Sequence, residues 1–224
     1  GGSGGIISSP VVNTPHRTQV KWDSLALRSY FIMGLLVIAA FFHALLFWFR
    51  RSDQTNLYFS VLCYLIIIRS WVADWHVQRF FESPPEWYFE LRVRTVVFTY
   101  FASVCVAVAF LQSFFPKIIP KKRVKQLLMI SAPFFFLTFH PSLTGILRVL
   151  PIYHLITITG ALYFAISLIR LSKRGDFEAR ICLVGFSILV YGALNDILSG
   201  MLIFESDEIV PWTLSIFVMI NSYL

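Results

Sequence analysis

Apolar residues gather into seven nearly continuous runs along the chain, separated by short polar turns that carry charge or proline. Ser29 to Phe49 is the first, and at ~1.5 Å per residue it matches a hydrocarbon core ~30 Å thick. It stops at Arg50-Arg51, and the turn RRSDQTN leads into a second run from Leu57 to about Trp75. Past HVQRFFESPPEWYFELRVR, where Pro84-Pro85 cannot continue a helix, Thr95 to Phe115 forms the third. PKIIPKKRVK is a basic loop, and Gln126 to Phe139 comes next as a shorter run containing Pro133. That fourth run crosses only if Lys122 to Lys125 snorkel or the bilayer thins. Ile152 to Leu171 is the fifth, opened by Pro151 in the favoured first-turn position, and Ile181 to Phe204 is the sixth. From Pro211 to Leu224 the seventh reaches only ~21 Å as helix, so more chain is expected beyond it. The pattern predicts an all-α polytopic membrane protein, a seven-transmembrane-helix bundle with its seventh helix truncated.

Composition agrees with that reading. Hydrophobic residues make up 57%, charged residues only 14%, and mean hydropathy is +0.72, far from a soluble domain. The lipid bilayer is thus the first partner. Residues 1–24 read as a linker and juxtamembrane segment, with GGSGG flexible and Ile6 to Asp23 polar and interrupted by Pro10 and Pro15. No signal peptide precedes them, so a further upstream segment is expected. Residues 25–224 read as the membrane domain. Cys63, Cys105 and Cys182 lie in three different runs without CxxC spacing and read as small buried hydrophobes.

Charge sets the orientation rather than naming a partner. The net charge of +7 would suggest nucleic acid in a soluble chain, but here most cations sit in short turns, and no nucleic-acid partner is expected. Turns one, three and five hold Arg50, Arg51, Lys117, Lys121, Lys122, Arg123, Lys125, Arg170, Lys173, Arg174 and Arg180. The other side holds fewer: Arg17, Lys21, Arg28, Arg79, Arg92, Arg94 and Arg148. By the positive-inside rule the N-terminus is outside and the C-terminus is in the cytoplasm. Trp71, Trp75, Trp87 and Trp212 all fall near the outer interface so assigned.

Within this frame Arg69 stands out, since a charge at the bilayer centre costs roughly 2.5 to 3.5 kcal/mol on insertion scales. The other ionisable group as deep in a later run is Asp196. Arg69 lies about 18 Å from the inner start of its helix and Asp196 about 22 Å from the inner start of its own, within one turn of each other. An ion pair is therefore expected between them, with Asn195 beside it. Whether the pair switches or only fixes helix register stays open. Asp196 also shares a face with Gly185, Gly192 and Ser199, small residues of the kind that mark close helix contacts in lipid.

Asp74, nearer the outer interface, is a candidate partner for Arg92 or Arg94, and His154 joins them as an outer-side polar candidate. His43 and His140 read as core or interface histidines. Facing histidines could hold haem or a metal, but no HxxxH or ExxH spacing accompanies them, so no cofactor and no metal is expected. No HExxH, GxSxG or P-loop occurs either, so no catalytic residue is assigned. A retinal protein would need a lysine in the seventh run, and the last lysine is Lys173. A small-solute transporter or channel is the alternative function, although it calls for a polar path and inverted repeats with broken helices.

LYFSVLCYLIIIRSW with VQRFF, WYFELRVRTVVFTYFASV ending in FLQSFFPK, YGALNDIL, and VPWTLSIFVMINS together resemble the membrane module of bacterial seven-transmembrane receptors with diverse intracellular signalling modules. The resemblance covers about Gly34 to Leu224. It implies a signal-relay role in the bacterial inner membrane, with a periplasmic sensor domain upstream and a cytoplasmic effector downstream as partners. That effector would be a nucleotide cyclase, histidine kinase or phosphatase, and a homodimer is open as a further association. It implies no catalytic residue within the helices.

Overall fold

The computed structural model describes residues 15–73, 86–116, 118–140, 142–200 and 209–221. Among them are seven helices and no strand: α1 (Pro15–Phe49), α2 (Gln54–Ala73), α3 (Glu86–Phe114), α4 (Lys121–Leu137), α5 (Leu143–Lys173), α6 (Phe177–Gly200) and α7 (Val210–Asn221). Five of them, α1, α2, α3, α5 and α6, are long and apolar enough to cross a membrane. α4 has 17 residues and begins with cations, and the described part of α7 has 12. By contacts the chain divides into Gly1–Phe31, which includes the first half of α1, and Ile32–Leu224, which holds the second half of α1 and the other six helices.

Helix ends obey local chemistry more than hydropathy. α1 begins at Pro15, inside the segment read as a linker, because no glycine or proline interrupts residues 16–33 and a first-turn proline lacks only an N–H that would have no helical acceptor. Asp53 starts α2, its Oδ1 accepting from Thr55 N at 3.1 Å. α3 starts at Glu86, well before Thr95, and carries its polar first turns as helix. α4 takes in Lys121 to Lys125, which hydropathy reads as loop, after Pro120 turns the chain with φ −67° and ψ 147°.

The largest correction falls on α5. Pro151 does not open it. Ser142 does, accepting from Gly145 N at 3.3 Å, and Pro151 lies inside the helix. A proline there removes one backbone bond, to Leu147, and the apolar faces on either side of it keep the helix continuous. α5 ends at Lys173, and two residues on the chain turns away at Gly175, whose φ of 93° lies in the left-handed region that favours glycine. Asp176 then caps α6 through Ala179 N at 2.9 Å.

Packing is aromatic. His43, Phe59, Phe110 and Phe217 touch in series, with ring centroids 4.3, 5.5 and 6.0 Å apart, and so link α1, α2, α3 and α7. Phe115, Phe164 and Phe186 continue the core into α5 and α6. A second cluster of Val97, Phe101, Ile146 and Tyr153 joins α3 to α5, with Phe134 and Phe135 of α4 against it. Outward faces are as apolar as the core: Ile38, Trp48, Leu155 and Tyr191 are each more than half exposed. Such surface is stable only against lipid.

Candidate functional site

Polar side chains meet inside the bundle at two places. In the first, α5 presents Tyr153, His154 and Thr157 toward α3. Tyr100 OH lies 2.8 Å from His154 Nδ1 and donates to Thr157 Oγ1 at 3.1 Å, while Thr157 Oγ1 donates to Tyr153 O at 2.9 Å. Arg69 of α2 is half-buried and within electrostatic reach of both Tyr100 and His154.

One turn away, the fully buried Tyr153 donates to Phe101 O at 3.3 Å and sits 3.1 Å from Ser131 Oγ of α4 and 3.9 Å from Cys105 Sγ. Three helices are thus held at one hydroxyl. Arg94 closes the same end. Its guanidinium pairs with Glu90 and donates to Thr138 O at 2.5 Å and His140 O at 2.7 Å, tying α3 to the α4–α5 turn. There His140 Nδ1 accepts from Ser142 N at 3.1 Å.

The second place is the start of α7. Asp196 Oδ1 accepts from Ile209 N at 2.9 Å and Asp196 Oδ2 from Val210 N at 3.2 Å, while Asn195 Nδ2 donates to Asp196 Oδ1 at 3.2 Å. A carboxylate there satisfies amides that have no partner within the helix, at the positive end of its dipole. One turn earlier on α6, Gly192 packs so closely that an added Cβ would come within 2.9 Å of Thr213 Cβ and Cγ2. Thr213 Oγ1 is itself turned back onto Val210 O at 3.1 Å.

The expected ion pair is therefore replaced. Among the described residues Arg69 and Asp196 form no salt bridge; Asp196 accepts hydrogen bonds from the backbone of the next helix in sequence, and Arg69 is half-buried on α2. Matched depth along two helices does not bring their side chains together, and two helix-end amides offer a carboxylate the hydrogen bonds that an arginine would. Asp74 lies outside the described residues, and Arg92 is half-buried on α3. Tyr100, Thr157, Tyr153, Ser131 and Thr213 carry no motif, and their one sequence signal is a hydroxyl within an apolar run. Cys63, Cys105 and Cys182 are buried thiols, as expected. No group of three potential metal ligands gathers among the described residues. What this arrangement supplies is a set of exchangeable hydrogen bonds between helices.

A sequence model for the family described as 7TM diverse intracellular signalling matches residues 26–224. No curated protein and no solved structure matches the chain.

Proposed function

The chain belongs to the 7TM diverse intracellular signalling family, and from that membership we propose that its helices relay ligand binding on one face of the membrane to an effector on the other. It is a membrane-spanning signalling receptor module, a sensing domain rather than a catalyst. On this proposal it lies in the bacterial inner membrane with its N-terminus in the periplasm and its C-terminus in the cytoplasm. A periplasmic sensor domain precedes it and a cyclase, histidine kinase or phosphatase comes after it, with Arg69, Asn195 and Asp196 among the residues that set the resting state.

The observation that supports this reading is the hold of Asp196 on the first amides of α7, beside the Gly192–Thr213 contact. A two-state relay through α7 requires a second arrangement of this helix end within a few kcal/mol of the first, a gap of the size of the hydrogen bonds that hold it. A tenfold change in output needs ~1.4 kcal/mol of differential ligand binding, comparable to one hydrogen bond. The test joins the module to its native effector and replaces residues 25–224 by an unrelated helical anchor of the same topology. Loss of ligand-dependent output is expected. Output that survives the exchange reduces the bundle to a tether.

A further inference from the structure

Three helix ends meet at one end of the bundle, where Ile119, Leu168 and Ala179 pack in one buried cluster with Ile118, Val124 and Leu171 against it. Tyr163 OH, donating to Ile118 O at 3.4 Å, fastens the turn before α4 to α5. Around this core Lys121, Lys122, Arg123 and Lys125 of α4 and Arg170, Lys173, Arg174 and Arg180 of the α5–α6 corner are all exposed. Only Asp176 and Glu178 oppose them in these stretches, and Asp176 is engaged as a helix cap.

The two groups of cations differ in their relation to the fold. Arg170 and Lys173 occupy the last turn of α5, where the dipole favours positive charge, and Arg180 Nε donates to Ser172 O at 3.3 Å. The α4 group stands in the first turns of its helix, where the dipole opposes positive charge and no acidic residue offsets it. Four cations placed against helix stability call for an anion outside the chain.

We propose that this end of the bundle binds anionic phospholipid headgroups, with the first turns of α4 as the main contact. The choice of lipid over a soluble anion rests on the residues just past the cations. Leu128, Met129 and Ile130 are exposed and apolar, and Met129 stands one turn, about 6 Å, beyond Lys125 on the same face. A headgroup held at Lys121 to Lys125 lays its acyl chains along that strip, whereas an acidic peptide or polyphosphate meets only the cations. The lysine stems lie along the apolar surface and bring their ammonium groups to headgroup level.

The test compares the protein with a variant carrying Lys121→Gln, Lys122→Gln, Arg123→Gln and Lys125→Gln, each in nanodiscs of phosphatidylcholine alone or with phosphatidylglycerol. Thermal midpoint and lipid retained in native mass spectrometry are read. In pure phosphatidylcholine the variant should melt at or above the parent, because the opposed dipole is relieved. Phosphatidylglycerol should raise the parent's midpoint, less so at high salt, and should fail to raise the variant's. Affinity for the anionic lipid should fall about fivefold per cation removed. A control variant, Arg170→Gln with Lys173→Gln, should lose stability in both lipids. A parent indifferent to phosphatidylglycerol overturns the proposal, as does a variant that keeps the gain. So does an equal gain from inorganic phosphate or poly-glutamate added to phosphatidylcholine discs, which would assign the surface to a soluble anion.

Discussion

Gly192 and Asp196 are one turn apart on α6, and each restricts α7 in a different way: the first by having no side chain, the second by having two oxygens. Gly192→Ala puts a methyl group into Thr213, whose hydroxyl is bonded back to its own helix, so relief requires a shift of backbone. The expected cost is about 1 to 3 kcal/mol in thermal or denaturant unfolding. Thr213→Gly removes all the clashing atoms. The cycle should therefore show favourable coupling in the double variant, and zero coupling would mean that the helices do not meet at this point. For Arg69→Leu and Asp196→Leu the cycle should show the opposite result, effects that add within about 0.5 kcal/mol, because the two side chains form no salt bridge and Asp196 is held by α7 amides. Both residues were legible in the sequence as charges that need compensation. The partners of Asp196 were not, since backbone amides leave no mark in a pattern of charges.

Among the elements, α5 is tied to α3 and α4 by hydrogen bonds of Tyr153, His154 and Thr157. Tyr153→Phe leaves Ser131 Oγ fully buried without its phenol partner and should cost about 1 to 3 kcal/mol. Adding Ser131→Ala should recover most of that loss. A Tyr153→Phe variant as stable as the parent would show that α3, α4 and α5 are held by ring packing alone. Each of the five long apolar runs was legible as a helix because lipid-scale hydrophobicity leaves few other solutions. Boundaries were less so. Glu86 to Arg94 and Lys121 to Lys125 read as loops by hydropathy, yet a helix continues past the apolar band wherever its end is tied, as Arg94 ties α3. Pro151 misled for the reverse reason: a residue that favours the first turn is also tolerated within a helix embedded among others.

On the scale of the molecule, orientation rests on the distribution of cations, and it has its own test. With Cys63, Cys105 and Cys182 first replaced, single cysteines at Lys122 and Arg174 should be labelled by an impermeant reagent only from the cytoplasmic face, and one at Asp207 only from outside. The reverse pattern would invert the proposed topology. Seven helices and their order were readable because each apolar run is bounded by charge or proline. The order in which α3 meets α2, α4, α5 and α7 was not, because it depends on which phenylalanine faces which, and this chain has 23 of them.

The hold on the first amides of α7 also limits how that helix can move. Sliding along its own axis would break both bonds to Asp196 together and drag Phe217 off Phe110, so a piston stroke is the costly motion. Tilting around the pinned end, or a small turn about the axis in which Phe217 slides on Phe110 and Thr213 on Gly192, keeps both bonds to Asp196. A helix that turns conveys an angle, and each residue along it advances that angle by about 100°. Any segment continuing α7 as helix would receive the signal as phase, set by the number of residues between Val210 and the point where it is read.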